Sequence, residues 1–496
     1  MKAVTALPRL DVRIAGRQLA AGEMDGLVSV RVRQALSVPS SCELTFASPP
    51  KSLVASVTAG APLQITVAPA RELFEGEVTA FETAWHGTNV RELRLRGYDV
   101  LHRLRKQQPV RAHTQMTAAG LARELAIELG VAVETAADSA VWPWLLQWKQ
   151  TDLELLAEVA ARSGLYLSFV EGVLRLVALD GFGDPMPLVP GEGLLECDVE
   201  VNADRACRSV DAAGFDLAAV AVSNAHAEDR PQGRPQADPV LGAGAVSLAD
   251  VAAPTVAHLE AAARAELFRR AASAVVLRAV AEGNPLLRPG RRIALQGVSA
   301  ELRGTYVITA AEHLVDAERG FVSSISTDPP RQPSPPDGAG AALGEVVEIE
   351  LPRGRVKLKL AAYGSVVTDW LPVASAGAGA GKGMIALPDV GDMVLVLFHR
   401  ADPARGVVLC GLWTAAGPPD AGIEGGRVRR FALRSKGGQK VELDDATSAL
   451  RLSDETGSFV ELTPHGVTVH AKTPLTLDAP GQPIVLRGQS IDFRRA

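Results

Sequence analysis

The tail of this chain sets the tightest limit on what it can fold into. From position 429 to 496, apolar and polar residues alternate in fragments of three to five residues, at 431–433, 441–443, 450–452, 460–462, 467–469, 475–477, around 485, and at 491–493. Polar turns break the pattern every six to ten residues, and no helical spacing appears. Period-two alternation is the mark of a half-buried strand. Each strand this short offers only a narrow apolar face, so one such tail cannot close a core alone. Copies wound together, as in stacked β-helical arrays, bury those faces. The tail therefore predicts a homo-oligomer.

Two Pro/Gly-rich stretches, at 326–340 and 415–422, divide the rest of the 496 residues. Such stretches run extended and mark domain boundaries. The predicted layout is a domain over 1–328, a linker over 329–342, a small domain over 343–415, a linker over 416–428 and the strand-rich tail over 429–496. The first piece opens with alternating strands at 10–14, 28–32, 42–46, 63–67 and 75–85. Helical spacing follows at 118–129 and 151–163, then strands at 165–170 and 172–179. Positions 254–280 read as an Ala-rich helix running into a strand, and the Pro/Gly-rich insert at 226–245 reads as a mobile loop. In the middle piece, strands at 344–350, 355–360, 371–374, 383–386, 392–398 and 407–412 suggest a small barrel of OB type. With 46 glycines, 32 prolines and 4% aromatics, the chain suits short strands and turns. The fold class is mainly β, with an α+β first domain.

Several function classes fall away. The formal charge of −6 gives no basic excess for a nucleic-acid partner. No apolar run reaches the ~18 residues of a membrane helix. The N-terminus has no apolar stretch before Arg9, Asp11 and Arg13, so no secretory signal is read and synthesis is cytosolic. The four cysteines (Cys42, Cys197, Cys207, Cys410) have neither zinc-knuckle spacing nor the number to staple the chain, and read as buried or half-buried thiols.

No catalytic constellation emerges. The glycine loop at 375–383 has Ala376 and Gly383 where a phosphate loop needs Gly and Ser or Thr. The nine histidines form no metal motif, and His470 alternates out of phase with Val467 and Val469. Glu75 with Glu77, and Asp444 with Asp445, are carboxylate pairs without a cleft between them. Trp142, Trp144 and Trp148 could line a sugar cleft, although packing on the next helix is the plainer use. No cofactor, metal ligand or catalytic residue is expected, and the chain is not read as an enzyme.

The sequence QWKQTDLELLAEVAARSGLY at 147–166 resembles the Q-Y-x-E-S-D-x-x-F-L-x-R-L-x-x-x-x-G-L-Y signature of phage tail-hub and VgrG proteins. GYDVLHRL at 97–104 is similar to the hub sequence preceding it. In the middle piece WLPV at 370–373, the glycine loop, LPDVGDMVLVLF at 387–398, Asp402-Pro403 and VVLCG at 407–411 resemble the spike OB-fold.

The resemblance implies a trimeric hub–spike of a contractile injection system. Three hub domains, each of two β-barrels with helical insertions, would form a pseudo-hexameric ring on the inner tube and baseplate proteins. Three tails would wind into a short intertwined β-helical needle that punctures the target membrane when the sheath contracts. Neither a lysozyme-sized insertion nor an effector domain is expected, so a separate PAAR-type protein would seal the tip, with effector cargo as a further partner. The particle would assemble in the cytoplasm and could be released. Alternation places Val441, Leu443, Leu452, Val460, Leu462, Val467, Val469, Leu475 and Leu477 in the needle interior, with Ile491 and Phe493 at the tip. The alternatives are a prophage tail hub, a cell-wall-degrading spike, and an adhesin resting on the tryptophans.

Overall fold

The strand Leu10–Ile14 shows how the first domain is built: Val12 and Ile14 are buried while Arg13 between them is exposed. It pairs antiparallel with Pro62–Val67, whose Leu63, Ile65 and Val67 point into the same core. The computed structural model describes all residues except 1–4, 87–89, 136, 217–220, 231–232, 239–243, 332–337, 415–416 and 495–496. The chain divides into two units, Met1–Gly411 and Leu412–Ala496.

In the first unit the alternating strands join in one continuous fourteen-stranded sheet. Two cores lie on it. One gathers Val12, Val32, Leu44, Phe46, Ile65 and Leu95; the other gathers Leu277, Ile293, Leu295, Tyr306 and Ile308. The seam between them is the pairing of Leu27–Ala35 with Ala310–Asp316, where Val32 stands opposite His313. The two barrel-like halves expected from the sequence thus share one hydrogen-bonded ladder.

Two insertions interrupt the sheet. The first holds the helices Ala118–Leu129 and Asp152–Ala161 and the hairpin Leu165–Val170/Val173–Ala178. Thr117 caps the first helix by accepting from the Gly120 N–H at 2.9 Å, and Gly130 closes it at φ 67°. Leu121, Leu125, Leu153, Leu156 and Val159 form the insertion's own core. The second insertion packs three strands, Ser209–Asp216, Ala221–Ala227 and Ala245–Leu248, on the helix Val256–Ala274, which runs directly into the strand Val275–Glu282. Part of the segment expected as a mobile loop, 231–232 and 239–243, lies outside the described residues. The part between is docked: the Gly233 carbonyl accepts from the Thr305 N–H at 2.9 Å, and Arg234 is buried.

The small domain has five strands, in the order Val366–Val367, Val356–Leu360, Gly340–Ile349, Met393–Phe398, Gly406–Gly411. Its core is Val346, Val356, Leu358, Leu360, Leu371, Val394, Val396, Phe398 and Val408. The strand expected at 371–374 is reduced to isolated bridges from Leu371 to Val356 and from Val373 to Val408. The one expected at 383–386 is an exposed irregular stretch without a ladder partner among the described residues, and Ile385 stands 93% exposed. Cys410 also departs from expectation. It is exposed, since it sits on the outward side of an edge strand, whereas Cys42 and Cys207 are buried. Residues 332–337 of the linker expected at 329–342 lie outside the described residues, and 340–342 belong to the strand Gly340–Ile349, which pairs with Met393–Phe398.

The second unit carries a small hairpin, Ile423–Glu424/Arg427–Val428, and an antiparallel meander of five strands. These are Arg430–Arg434, Lys440–Asp444, Ala449–Ser453, Phe459–Thr463 and Gly466–His470. Among the described residues no strand follows His470. The fragments expected around Leu475–Leu477, Val485 and Ile491–Phe493 therefore do not pair within one chain. Pro474, Pro480 and Pro483 explain why: each removes the N–H that a ladder needs.

Candidate functional site

The register of the tail sheet decides which side chains act together. Leu433, Val441, Leu452, Val460 and Val469 stand opposite one another in turn across all five strands. A second row runs Phe431, Leu443, Leu450, Leu462, Val467. Facing residues in antiparallel strands share a face. The two rows therefore make one apolar face two residues deep and five strands wide. Seven of the nine residues predicted for the needle interior lie on it. Phe431, Leu433 and Leu450 belong to it too; the same i, i+2 alternation marks them in the sequence, but they were not among the nine. Leu475 and Leu477 follow the last strand and lie outside these rows, both well exposed, as are Ile491 and Phe493.

Among the described residues of the unit, none covers this face. Leu450 is 38% exposed, Val469 58% and Val467 70%. The opposite face is bound together by charge and ring contacts. Arg451 Nη1 lies 3.1 Å from Glu461 Oε1, its guanidinium sits 3.9 Å over the Phe459 ring, and Phe459 stacks on His470 at 5.1 Å. Lys440 pairs with Glu442 on the same side. His470 is thus engaged away from the apolar rows.

The hub signature is structural. Asp152 is fully buried, and its Oδ1 accepts from Gln147 Nε2 at 2.7 Å and Arg111 Nη2 at 3.0 Å. Arg111 Nε donates to Gln147 Oε1 at 3.1 Å, closing a triangle that ties the strand Trp142–Gln147 to the next helix. Thr151 and Glu154 form a capping box at the start of that helix, Glu154 Oε2 accepting the Thr151 N–H at 2.8 Å. Gly164 ends the segment at φ 71°, where an added Cβ would lie 3.0 Å from that of Ala265. In the preceding motif, Asp99 accepts from the Ser40 and Leu101 N–H groups, and burial pushes its carboxyl up to about 6. Glu77 takes Arg103 at 2.7 Å and contacts His102. These groups are spent on holding the fold.

The same is true of the other candidates. Trp142 and Trp144 are buried, and Trp144 Nε1 donates to the Val367 carbonyl at 3.2 Å, joining the first insertion to the OB domain. Trp148 packs on Tyr363 at 5.4 Å across the same seam. Between the second insertion and the OB domain, Arg400 and His399 each reach Asp250 Oδ2 at 3.0 Å. Glu75 and Glu77 lie on one strand, Glu75 in hydrogen-bond contact with Glu72 and Glu77 paired with Arg103, and Asp444 is engaged in the turn by the Ala446 N–H at 2.8 Å.

Residues 33–318 match the family described as phage tail baseplate hub (GPD). This chain belongs to that family. Residues 342–413 match the type VI secretion system/phage-baseplate injector OB domain. Both domains occur here in the order of VgrG and phage tail hub–spike proteins. No curated protein matches the sequence. Among solved structures, an Escherichia coli protein described as a component of the type VI secretion system is 13% identical, with a TM-score of 0.53 over 81% of this chain and 99% of its own. The Francisella PdpA–VgrG complex, half-lidded, gives 8%, 0.56, 94% and 88%. A prophage MuSo2 43 kDa tail protein from Shewanella oneidensis gives 12%, 0.50, 64% and 97%. At these identities the likeness is one of fold.

Proposed function

We propose that three copies of this chain form the hub–spike of a contractile injection system, linking the inner tube to the tip and puncturing the target membrane on sheath contraction. One observation carries the reading: the tail sheet presents two apolar rows that no described residue of its own unit covers. A sheet with one bare apolar face and two open edges is a liability in a lone chain. Three copies facing inward bury the rows and pair the edges. The proline-broken segment after His470, with Leu475 and Leu477, then gains the partners that a single chain cannot give, and Ile491 and Phe493 end it as contacts for a PAAR-type tip protein.

The role is mechanical. Contraction supplies the energy, and the needle must remain folded while force is concentrated on a small area. Tube and baseplate proteins are the partners proposed for the hub, and effector cargo a further one. The chain is synthesised in the cytoplasm and carried within the particle. Light scattering of the purified chain tests the reading: a mass near three times 52.1 kDa supports it, and a stable monomer overturns it. A prophage tail hub is the second reading, favoured by the match of the first domain to a phage baseplate family. Particles purified with capsids would decide for it. Lysis of peptidoglycan in a zymogram by the purified chain would overturn a purely mechanical role.

A further inference from the structure

Arg234 is buried to 9% exposure, its Nε has no hydrogen-bond partner, and no ion pair satisfies it among the described residues. A guanidinium removed from water without a counter-charge is strongly destabilising, so such a group points to a missing anion. Burial holds its pKa down to about 10, which leaves it charged at neutral pH.

Arg234 lines a cavity of about 860 Å³ between the helix Val256–Ala274 and the strands Arg291–Leu295 and Gly304–Val307. Arg264 reaches the same cavity from the helix. It rests 5.3 Å over the Phe268 ring and has no ion pair among the described residues. Arg292, also on the wall, is engaged by the Asp180 carbonyl at 2.7 Å. A second cavity of about 1130 Å³ shares Leu179, Asp180, Arg264 and Phe268 with the first, and continues the trough past Arg175 and Arg291.

The walls select among anions. Asp180, Glu228, Asp229 and Glu260 share the smaller cavity with Arg230, Arg234, Arg264 and Arg292, which disfavours the concentrated charge of a doubly charged phosphate or a polyanionic strand over carboxylates spaced one to a guanidinium. A single carboxylate meets one guanidinium in two parallel hydrogen bonds at lower local charge. Leu179, Phe268 and Val307 add apolar surface beside the arginines, and the volume of the two cavities exceeds what one small anion fills. We propose that this trough is a docking site for an acidic peptide segment of a partner protein, with carboxylates seated on Arg234 and Arg264 and apolar side chains against Phe268. The proposal does not depend on the spike reading, since it concerns the hub alone.

The test uses the full chain and a fluorescein-labelled pentapeptide of alternating Glu and Leu, read by fluorescence anisotropy. Binding is expected that weakens at least tenfold in Arg264→Met and is lost in Arg234→Met. The same peptide with Gln in place of Glu should not bind. Arg264 is exposed, so its variant folds whether or not Arg234→Met does. No binding by the native chain, equal binding by Arg264→Met, or displacement of the peptide by inorganic phosphate at matched concentration would each overturn the proposal. The last outcome would make the trough a plain anion site, and displacement by single-stranded DNA would make it a nucleic-acid site.

Discussion

Val467→Asp places a carboxylate at the end of an apolar row and is the sharpest probe of the tail. Within one chain Val467 is 70% exposed and stands opposite Leu462, so the unassembled sheet loses little by the change. In the assembled needle the balance differs. Burying a whole valine side chain contributes about 1.5 kcal/mol or more, so the portion still open here accounts for about 1 kcal/mol per copy. Taking the new carboxylate out of water costs several kcal/mol more, about 3 as a low figure. Over three copies the loss is about 12 kcal/mol, which lowers the assembly constant by about nine powers of ten. Light scattering should therefore report a monomer for Val467→Asp and a trimer for Thr468→Lys. Thr468 lies on the other face opposite Glu461, where a lysine finds a favourable cross-strand partner. A trimeric Val467→Asp of native thermal stability, or equal dissociation by both variants, would refute the assignment of the inward face.

Three further outcomes concern the hub. Asp152→Ala leaves Arg111 and Gln147 facing an empty buried site and should destabilise the first domain by about 3–5 kcal/mol, seen as a lower denaturation midpoint. Thr151→Ala removes only one half of the capping box and should cost about 1 kcal/mol in the same assay. His258, buried against Trp142 at 4.3 Å, is held neutral, its pKa lowered from 6.5 to about 4 by desolvation first and by Arg162 second. A base depressed on folding adds stability above pH 6.5 that drains away as pH falls towards 4. His258→Phe should flatten the stability profile in that window; an unchanged slope would place the titration elsewhere.

Local pattern carries far in this molecule. The strand at 10–14 and the helix at 118–129 are where alternation and helical spacing put them, because each has a single face to bury and Thr117 and Gly130 cap the helix. The passage from helix to strand near Val275 was legible for the same reason. Partner edges were not. The fragments at 371–374 and 383–386 carry the same alternation as true strands, yet the first makes only bridges and the second none. A strand exists only where another chain segment offers hydrogen bonds, and residue pattern does not disclose that. The same gap explains Leu475 and Leu477, which alternate correctly but follow Lys472 into a stretch broken by prolines.

The sequence by itself determined that the tail has one apolar face per strand and that hub and OB motifs follow in order. Those properties are local or linear, fixed by side-chain type and spacing. Tertiary structure decided that Asp152 meets Arg111 and Gln147, that Trp144 is spent on joining two domains, and that Phe431, Leu433 and Leu450 complete the apolar rows. It also decided that Arg234, one arginine among many in the sequence, is buried with its Nε unpartnered among the described residues. Each of those facts depends on residues far apart in the chain being brought within hydrogen-bonding or van der Waals reach, and distance through space is set by the packing of the whole domain.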